Sequence, residues 1–308
     1  MAHPKKKRKS ILITLLALAG ILSLGIIVLA SILFFQIHRT NGKLISSGKK
    51  RTYLLYVPKT YQPEKPSPLV ISIHGYAEWP AHQMEVSHWN QVAEENNFIV
   101  VYPSGTGFPL HWLTGGQANT LLDIQFISDL IDQLEMDYNI DETRIYANGL
   151  SNGGGMSFVL AGKLSERIAA IGGVSGAYLL PWKDYNPERP VPAIIFHGTQ
   201  DSIVPFGGGP SSSFNYPFPE ITSWVKTLAG KNGCTGNPVD LPVQGEVSGK
   251  RYTNYPQNAD IVFYIVANGG HSWPGGGSMP KAIVGHTTQD IDATRVMWDF
   301  FQLHPMGK

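Results

Sequence analysis

The chain has 308 residues, with 24 Lys and Arg against 23 Asp and Glu, and one cysteine. A hydrophobic content of 43% with 11% aromatics excludes intrinsic disorder. The net charge of +1 argues against nucleic acid as a partner, and a lone Cys excludes an intrachain disulfide framework and any cysteine-built metal centre.

The charge is unevenly placed. Lys5, Lys6, Lys7, Arg8 and Lys9 form a basic run, so the rest of the chain carries −4. Ile11–Ile37 follows as 27 residues without a charge, about 40 Å of helix against a bilayer core of about 30 Å. Five cations precede it and only Arg39 and Lys43 stand close behind, which holds the N-terminus in the cytoplasm and the body outside. We read 1–10 as a basic cytoplasmic n-region and 11–37 as an uncleaved transmembrane anchor. The alternative is a signal sequence cut after Ala17-Leu18-Ala19 or Val28-Leu29-Ala30, which releases a secreted body. Apolar sequence running past both sites, through Phe35, favours the anchor. Residues 38–51 read as a linker and 52–303 as one domain, large enough to bury roughly three quarters of its unfolded surface.

The domain opens on a strand at Thr52–Val57. Leu69–Ile73 and Phe98–Tyr102 are short, continuously apolar runs, as in strands buried on both faces of a parallel sheet. Met84–Asn96 between them reads as a helix. Leu121, Ile124, Ile127, Ile131 and Leu134 recur at helical spacing, with Asn119 or Thr120 as the cap. Further strands are expected at Arg144–Asn148, Ile168–Val174, Val191–Phe196 and Ile261–Ala267, and a last helix at Thr288–Gln302. This alternation predicts an α/β fold with a mainly parallel, doubly wound sheet. Its ligands bind beyond the carboxyl ends of the strands, where the irregular stretches 103–118, 175–190 and 203–220 also fall.

Gly149-Leu150-Ser151-Asn152-Gly153 matches Gly-x-Ser-x-Gly, a weak pattern alone. Context strengthens it, because a strand runs into it and a helix-capable Met156–Lys163 follows. Strand, sharp turn and helix make a nucleophile elbow, in which the positions flanking the serine at two residues' distance must be small. Gly173-Val174-Ser175-Gly176-Ala177 is a near match with no helix behind it, so Ser175 reads as structural. A serine hydroxyl needs a base, and the base an orienting acid. His271, in the glycine-rich loop after Ile261–Ala267, is the candidate base, and Asp201, after Val191–Phe196, the candidate acid. His197 reads as a structural histidine; His286 and His304 read as surface residues. An oxyanion needs preorganised donors, for which the amides of Asn152 and Tyr76 are candidates, with Ala77 as an alternative to Tyr76. Trp112, Trp273 and Trp79 are candidates for an aromatic substrate pocket, with loop packing as the competing reading.

Together these segments resemble the exported polyhydroxybutyrate depolymerase-like and feruloyl esterase-like branch of the α/β hydrolases. The likeness runs over roughly residues 50–303. It rests on Leu121–Ile127, Arg144-Ile145-Tyr146, Gly149–Gly154, His197–Pro205 and Gly270-His271-Ser272-Trp273-Pro274-Gly275. The resemblance implies an α/β-hydrolase fold, a triad of Ser151, Asp201 and His271, and an ester as substrate, such as a feruloyl, acetyl or hydroxyalkanoate ester. It implies no cofactor and no metal. Leu122 stands where the family has the first of two paired acids, and Cys234 has no disulfide partner in the chain. The expected protein is a serine ester hydrolase tethered outside the cytoplasm. A non-catalytic surface binding protein on the same scaffold, or a serine peptidase, is the alternative.

Overall fold

The computed structural model describes residues 4–37, 39–116, 119–211, 213–214, 217–254 and 257–307. The chain divides into two units, 1–39 and 40–308. The first is a single helix, α1 (Pro4–Ile37), within which Thr14–Gln36 is long and apolar enough to cross a membrane. Residues 1–3 of the expected n-region lie outside the described residues.

The second unit contains β1 (Gly42–Ser46), β2 (Lys49–Tyr56), β3 (Ser67–Ile73), α2 (Pro80–Ser87), α3 (Trp89–Asn96), β4 (Ile99–Pro103), α4 (Thr120–Asp137), β5 (Ile140–Leu150) and α5 (Asn152–Lys163). It continues with β6 (Ala170–Val174), β7 (Ala193–Gly198), α6 (Ile221–Lys231), β8 (Val239–Gln244), β9 (Val247–Tyr252), β10 (Ile261–Val266), α7 (Lys281–Val284) and α8 (Ala293–Gln302). The strands form one sheet in the order β1-β2-β4-β3-β5-β6-β7-β10-β9-β8. The middle, from β4 to β10, is parallel; β1, β2, β8 and β9 add antiparallel margins. This is the mainly parallel, doubly wound sheet expected.

The parallel strands are buried on both faces because their side chains feed two cores. Leu69, Ile71 and Ile73 enter one with Phe126, Ile127 and Phe158, whereas Val70 enters the other with Trp89, Trp298 and Phe301. The order reverses at β3, which has β4 on one side and β5 on the other. Such a switch point opens a crevice at the strand ends.

Several local expectations need correcting. Within the stretch read as a linker, 38–51, residues 42–51 form β1 and the start of β2, joined at Ser47 (φ 48°) and Gly48 (φ 72°). Two successive positive φ values suit a tight hairpin turn. Met84–Asn96 is divided between α2 and α3, because His88 takes the left-handed conformation between them. The last helix begins at Ala293, where Asp292 accepts from the amides of Thr294 and Arg295. His304 is 1% exposed, with its ring bonded to the Phe300 carbonyl, and is not a surface residue.

Candidate active site

The switch point gathers the chemistry at one rim. Ile73 pairs with Gly149, Leu150 with Val174, Val174 with Phe196 and His197 with Ile265, so β3, β5, β6, β7 and β10 end side by side. The loops that leave them carry Tyr76, Ser151, Ser175, Asp201 and His271.

Ser151 is the single residue between β5 and α5, at φ 56° and ψ −118°. A side chain at positive φ is strained, and its neighbours must hold it there. The Ser151 amide donates to Val174 O at 2.9 Å, and its carbonyl accepts from Gly155 at 3.0 Å and Ala177 at 2.9 Å. A Cβ at position 149 would lie 2.4 Å from the Gly153 carbonyl carbon, and one at 153 would lie 2.0 Å from Ile73 O. Both glycines are therefore steric requirements of the elbow. The hydroxyl lies at the first turn of α5, whose free amides favour negative charge.

His271 and Asp201 meet. The Nδ1–H of His271 donates to Asp201 Oδ2 at 2.8 Å, which leaves Nε2 with the lone pair a base needs. Asp201 Oδ1 accepts from the amides of Ile203 (2.9 Å) and Val204 (2.8 Å). Burial pushes the Asp201 carboxyl up, but His271, His197 and the Val204 amide outweigh it and hold the group below its ordinary value. Both residues are 5% exposed and Ser151 is 8% exposed. Among the described residues no hydrogen bond joins Ser151 Oγ to His271, a bond commonly longer in free enzymes.

The second sequence-predicted group also converges on Ser151. The Ala77 amide donates to Leu110 O at 2.8 Å and is thereby occupied. The amides of Tyr76 and Asn152 donate to no acceptor among the described residues. The Asn152 side chain accepts from Trp112 N at 2.7 Å and donates to Trp112 O at 3.0 Å, which clamps the 104–115 loop beside the elbow. His74 holds the same loop. Its Nε2 accepts from Gly105 N at 2.9 Å, so the proton sits on Nδ1, 2.7 Å from Gly75 O. Burial pushes this neutral imidazole down to about 4.

A cavity of about 350 Å³ opens at Ser151, lined in part by Tyr76, Trp112, Thr114, Leu179, Phe214 and Phe218. Of the three tryptophans singled out, Trp112 lines it. Trp273 does not; it is 1% exposed in the core, and its indole donates to Thr294 Oγ1 at 2.9 Å. Trp79 packs at the start of α2, its ring 5.4 Å from His82, away from the cavity wall. Sequence reasoning missed Glu78, whose Oε2 accepts from Gly75 N at 2.7 Å and whose Oε1 lies 3.6 Å from His82 Nδ1. The i, i+4 spacing of Glu78 and His82 was the available signal. It also missed Arg51, buried against Asp123 at 3.0 Å.

Residues 114–214 match the family model described as phospholipase/carboxylesterase. The chain is 33% identical over 220 residues to a bifunctional acetylxylan esterase/xylanase of Neocallimastix patriciarum, covering 70% of this chain and 28% of that one. It is 28% identical over 242 residues to feruloyl esterase C of Emericella nidulans, covering 75% and 79%. Its fold is similar to that of an acetyl xylan esterase from Aspergillus awamori, with a TM-score of 0.60, 17% identity and coverage of 85% and 98%. The chain is thus similar to carboxylic ester hydrolases of the feruloyl esterase-like branch, and its fold is that of the α/β hydrolases.

Proposed function

We propose that the chain hydrolyses esters outside the cytoplasm through Ser151, His271 and Asp201. The observation that carries this reading is the buried His271–Asp201 bond, opening on the same strand rim as a serine held at positive φ. His271 Nε2 takes the Ser151 proton as Oγ attacks the ester carbonyl carbon. The tetrahedral oxyanion accepts from the amides of Tyr76 and Asn152. His271 then gives its proton to the departing alcohol, leaving an acyl-serine. Water attacks that acyl group, passes its proton to His271, and the carboxylic acid leaves as Ser151 recovers its hydrogen. Asp201 stabilises the imidazolium in both halves without taking the proton.

The cavity suits a flat or small acyl group, since Trp112, Phe214 and Phe218 offer apolar faces on a wall that Thr114 interrupts. Its relatives' names point to feruloyl esters and acetylated xylan, and we take esters of these kinds as its substrates. Thr14–Gln36 serves as the tether. The chain is expected to stay with membranes after an alkaline carbonate wash at its full mass; a shortened, soluble product would instead indicate a cleaved signal.

The test compares the full chain in detergent with Ser151→Ala on nitrophenyl acetate and on a ferulate ester. Turnover is expected to fall by about 10⁴–10⁶-fold, with labelling by a fluorophosphonate abolished. Equal rates would remove Ser151 from the chemistry, and an unlabelled wild-type chain would favour a binding role.

A further inference from the structure

Behind Asp201 stands a second serine and a second histidine. Ser175, read from the sequence as structural, leaves β6 at φ 46°, is 1% exposed, and its hydroxyl has no hydrogen-bond partner. His197, near the end of β7, is also 1% exposed and its Nδ1 is unpartnered too. Both residues line one small cavity of about 10 Å³. That is room for a single water and for no substrate.

The other side of the His197 ring fixes its tautomer. Nε2 lies 2.9 Å from Val204 O, which can only accept, so Nε2 carries the proton and Nδ1 the lone pair. The same Nε2 lies 3.4 Å from Asp201 Oδ2, the oxygen that accepts from His271. Two imidazoles therefore face one carboxylate oxygen. The ring order is the reverse of a working triad, with Nε2 toward the acid and Nδ1 toward the serine. Ser175 is sealed from any acyl donor and is not a second nucleophile.

Buried hydroxyls and imidazole nitrogens are rarely left unpaired. One water in the shared cavity, donating to Nδ1 and bonded to Ser175 Oγ, satisfies both. We propose that Ser175, this water and His197 form a relay that positions the Asp201 carboxylate and engages part of its charge, so that His271 is not made too basic. The proposal rests on the triad reading above. Ser175 and His197 act through Asp201 and are positioning residues. Among the described residues the histidines that bear on Asp201 are His271 and His197. Burial pushes His197 down by more than Asp201 and the Val204 carbonyl raise it, so it stays neutral.

The full chain in detergent, with ¹⁵N-labelled histidine, gives the first test. Long-range ¹H–¹⁵N spectra between about pH 5 and about pH 8.5 are expected to hold His197 as the neutral Nε2–H tautomer, with Nδ1 hydrogen-bonded. An Nδ1–H tautomer, or titration within that range, overturns the proposal.

The second test is kinetic. His197→Phe removes the donor while keeping a ring, and His197→Gln returns a donor near Nε2. For His197→Phe, kcat is expected to fall about tenfold with KM within about twofold, and the acid limb of kcat/KM to move up by about one pH unit. His197→Gln should recover most of both, and Ser175→Ala should move the limb the same way by less. Unmoved limbs in His197→Phe and Ser175→Ala overturn the relay; should the first not fold, an unmoved limb in Ser175→Ala does so alone. Fluorophosphonate labelling of Ser151 runs in parallel. A wild-type chain that is never labelled refutes the triad while leaving the His197 tautomer to be judged separately.

Discussion

Ser151 keeps its unfavourable φ because two glycines let three backbones approach where no Cβ fits. The close approach is backbone to backbone, at Ile73 O and at the Gly153 carbonyl, so nothing flexible can yield. Gly153→Ala is therefore expected to lower the stability of the fold by about 1–3 kcal/mol or more, read as a fall in the urea midpoint with an unchanged slope. Its residual activity should fall further than its folded fraction, since the elbow itself is displaced. This requirement is local, which is why Gly149-Leu150-Ser151-Asn152-Gly153 was legible in the sequence. Trp273 was not, because a tryptophan in a glycine-rich loop reads the same whether it faces a ligand or, as here, Thr294 and the core. The pairing of His271 with Asp201 was legible only through chain order, each following its own strand.

Among the elements, the 104–115 loop is the one most elaborately held. Asn152 clamps Trp112, His74 takes Gly105 N, and Asp123 Oδ2 accepts from Leu113 N at 3.1 Å. Asp123 is itself bound by Arg51, whose guanidinium also lies 3.9 Å from the Phe126 ring centroid. Asp123→Ala strands a buried cation and is expected to destabilise the fold by about 3–5 kcal/mol in chemical unfolding. Arg51→Met combined with Asp123→Leu removes both charges and should recover much of that loss. The double variant still leaves Leu113 N without its acceptor, so KM for a ferulate ester should stay raised while stability returns. None of this was readable from Lys49-Lys50-Arg51, which resembles the charged run of a linker. The β8–β9 hairpin was also unread: Val239, Leu241 and Val243 alternate with Asp240, Pro242 and Gln244, but the run is short, largely exposed and carries a proline, which argues against a strand.

At the scale of the whole molecule, the buried histidines set how the fold answers to acid. His74 lies at about 4, and burial also pushes His197 and His304 below their ordinary value. Each is neutral in the fold at a pH where the unfolded chain has already bound a proton. Stability is therefore complete above about pH 6.5 and declines as pH falls. His74 alone contributes a loss of about 3 kcal/mol by pH 4. His82 opposes this. Burial pushes it down, but Glu78 raises it past its ordinary value, so its contribution is present at low pH and fades as pH rises. Urea midpoints measured from about pH 7 to about pH 4 should fall throughout, most steeply below about pH 6.5; a flat series would contradict the neutral assignment of these rings.

The division of labour at the rim has an evolutionary and practical corollary. Trp112 and Thr114 lie between β4 and α4, apart from the segments bearing Ser151, Asp201 and His271, whereas Phe214 and Phe218 share the β7–α6 connection with Asp201. The segment around 105–116 is thus expected to be exchangeable between homologues as a cassette. On the proposed function, such a graft is expected to alter which acyl group is admitted while bond cleavage is retained.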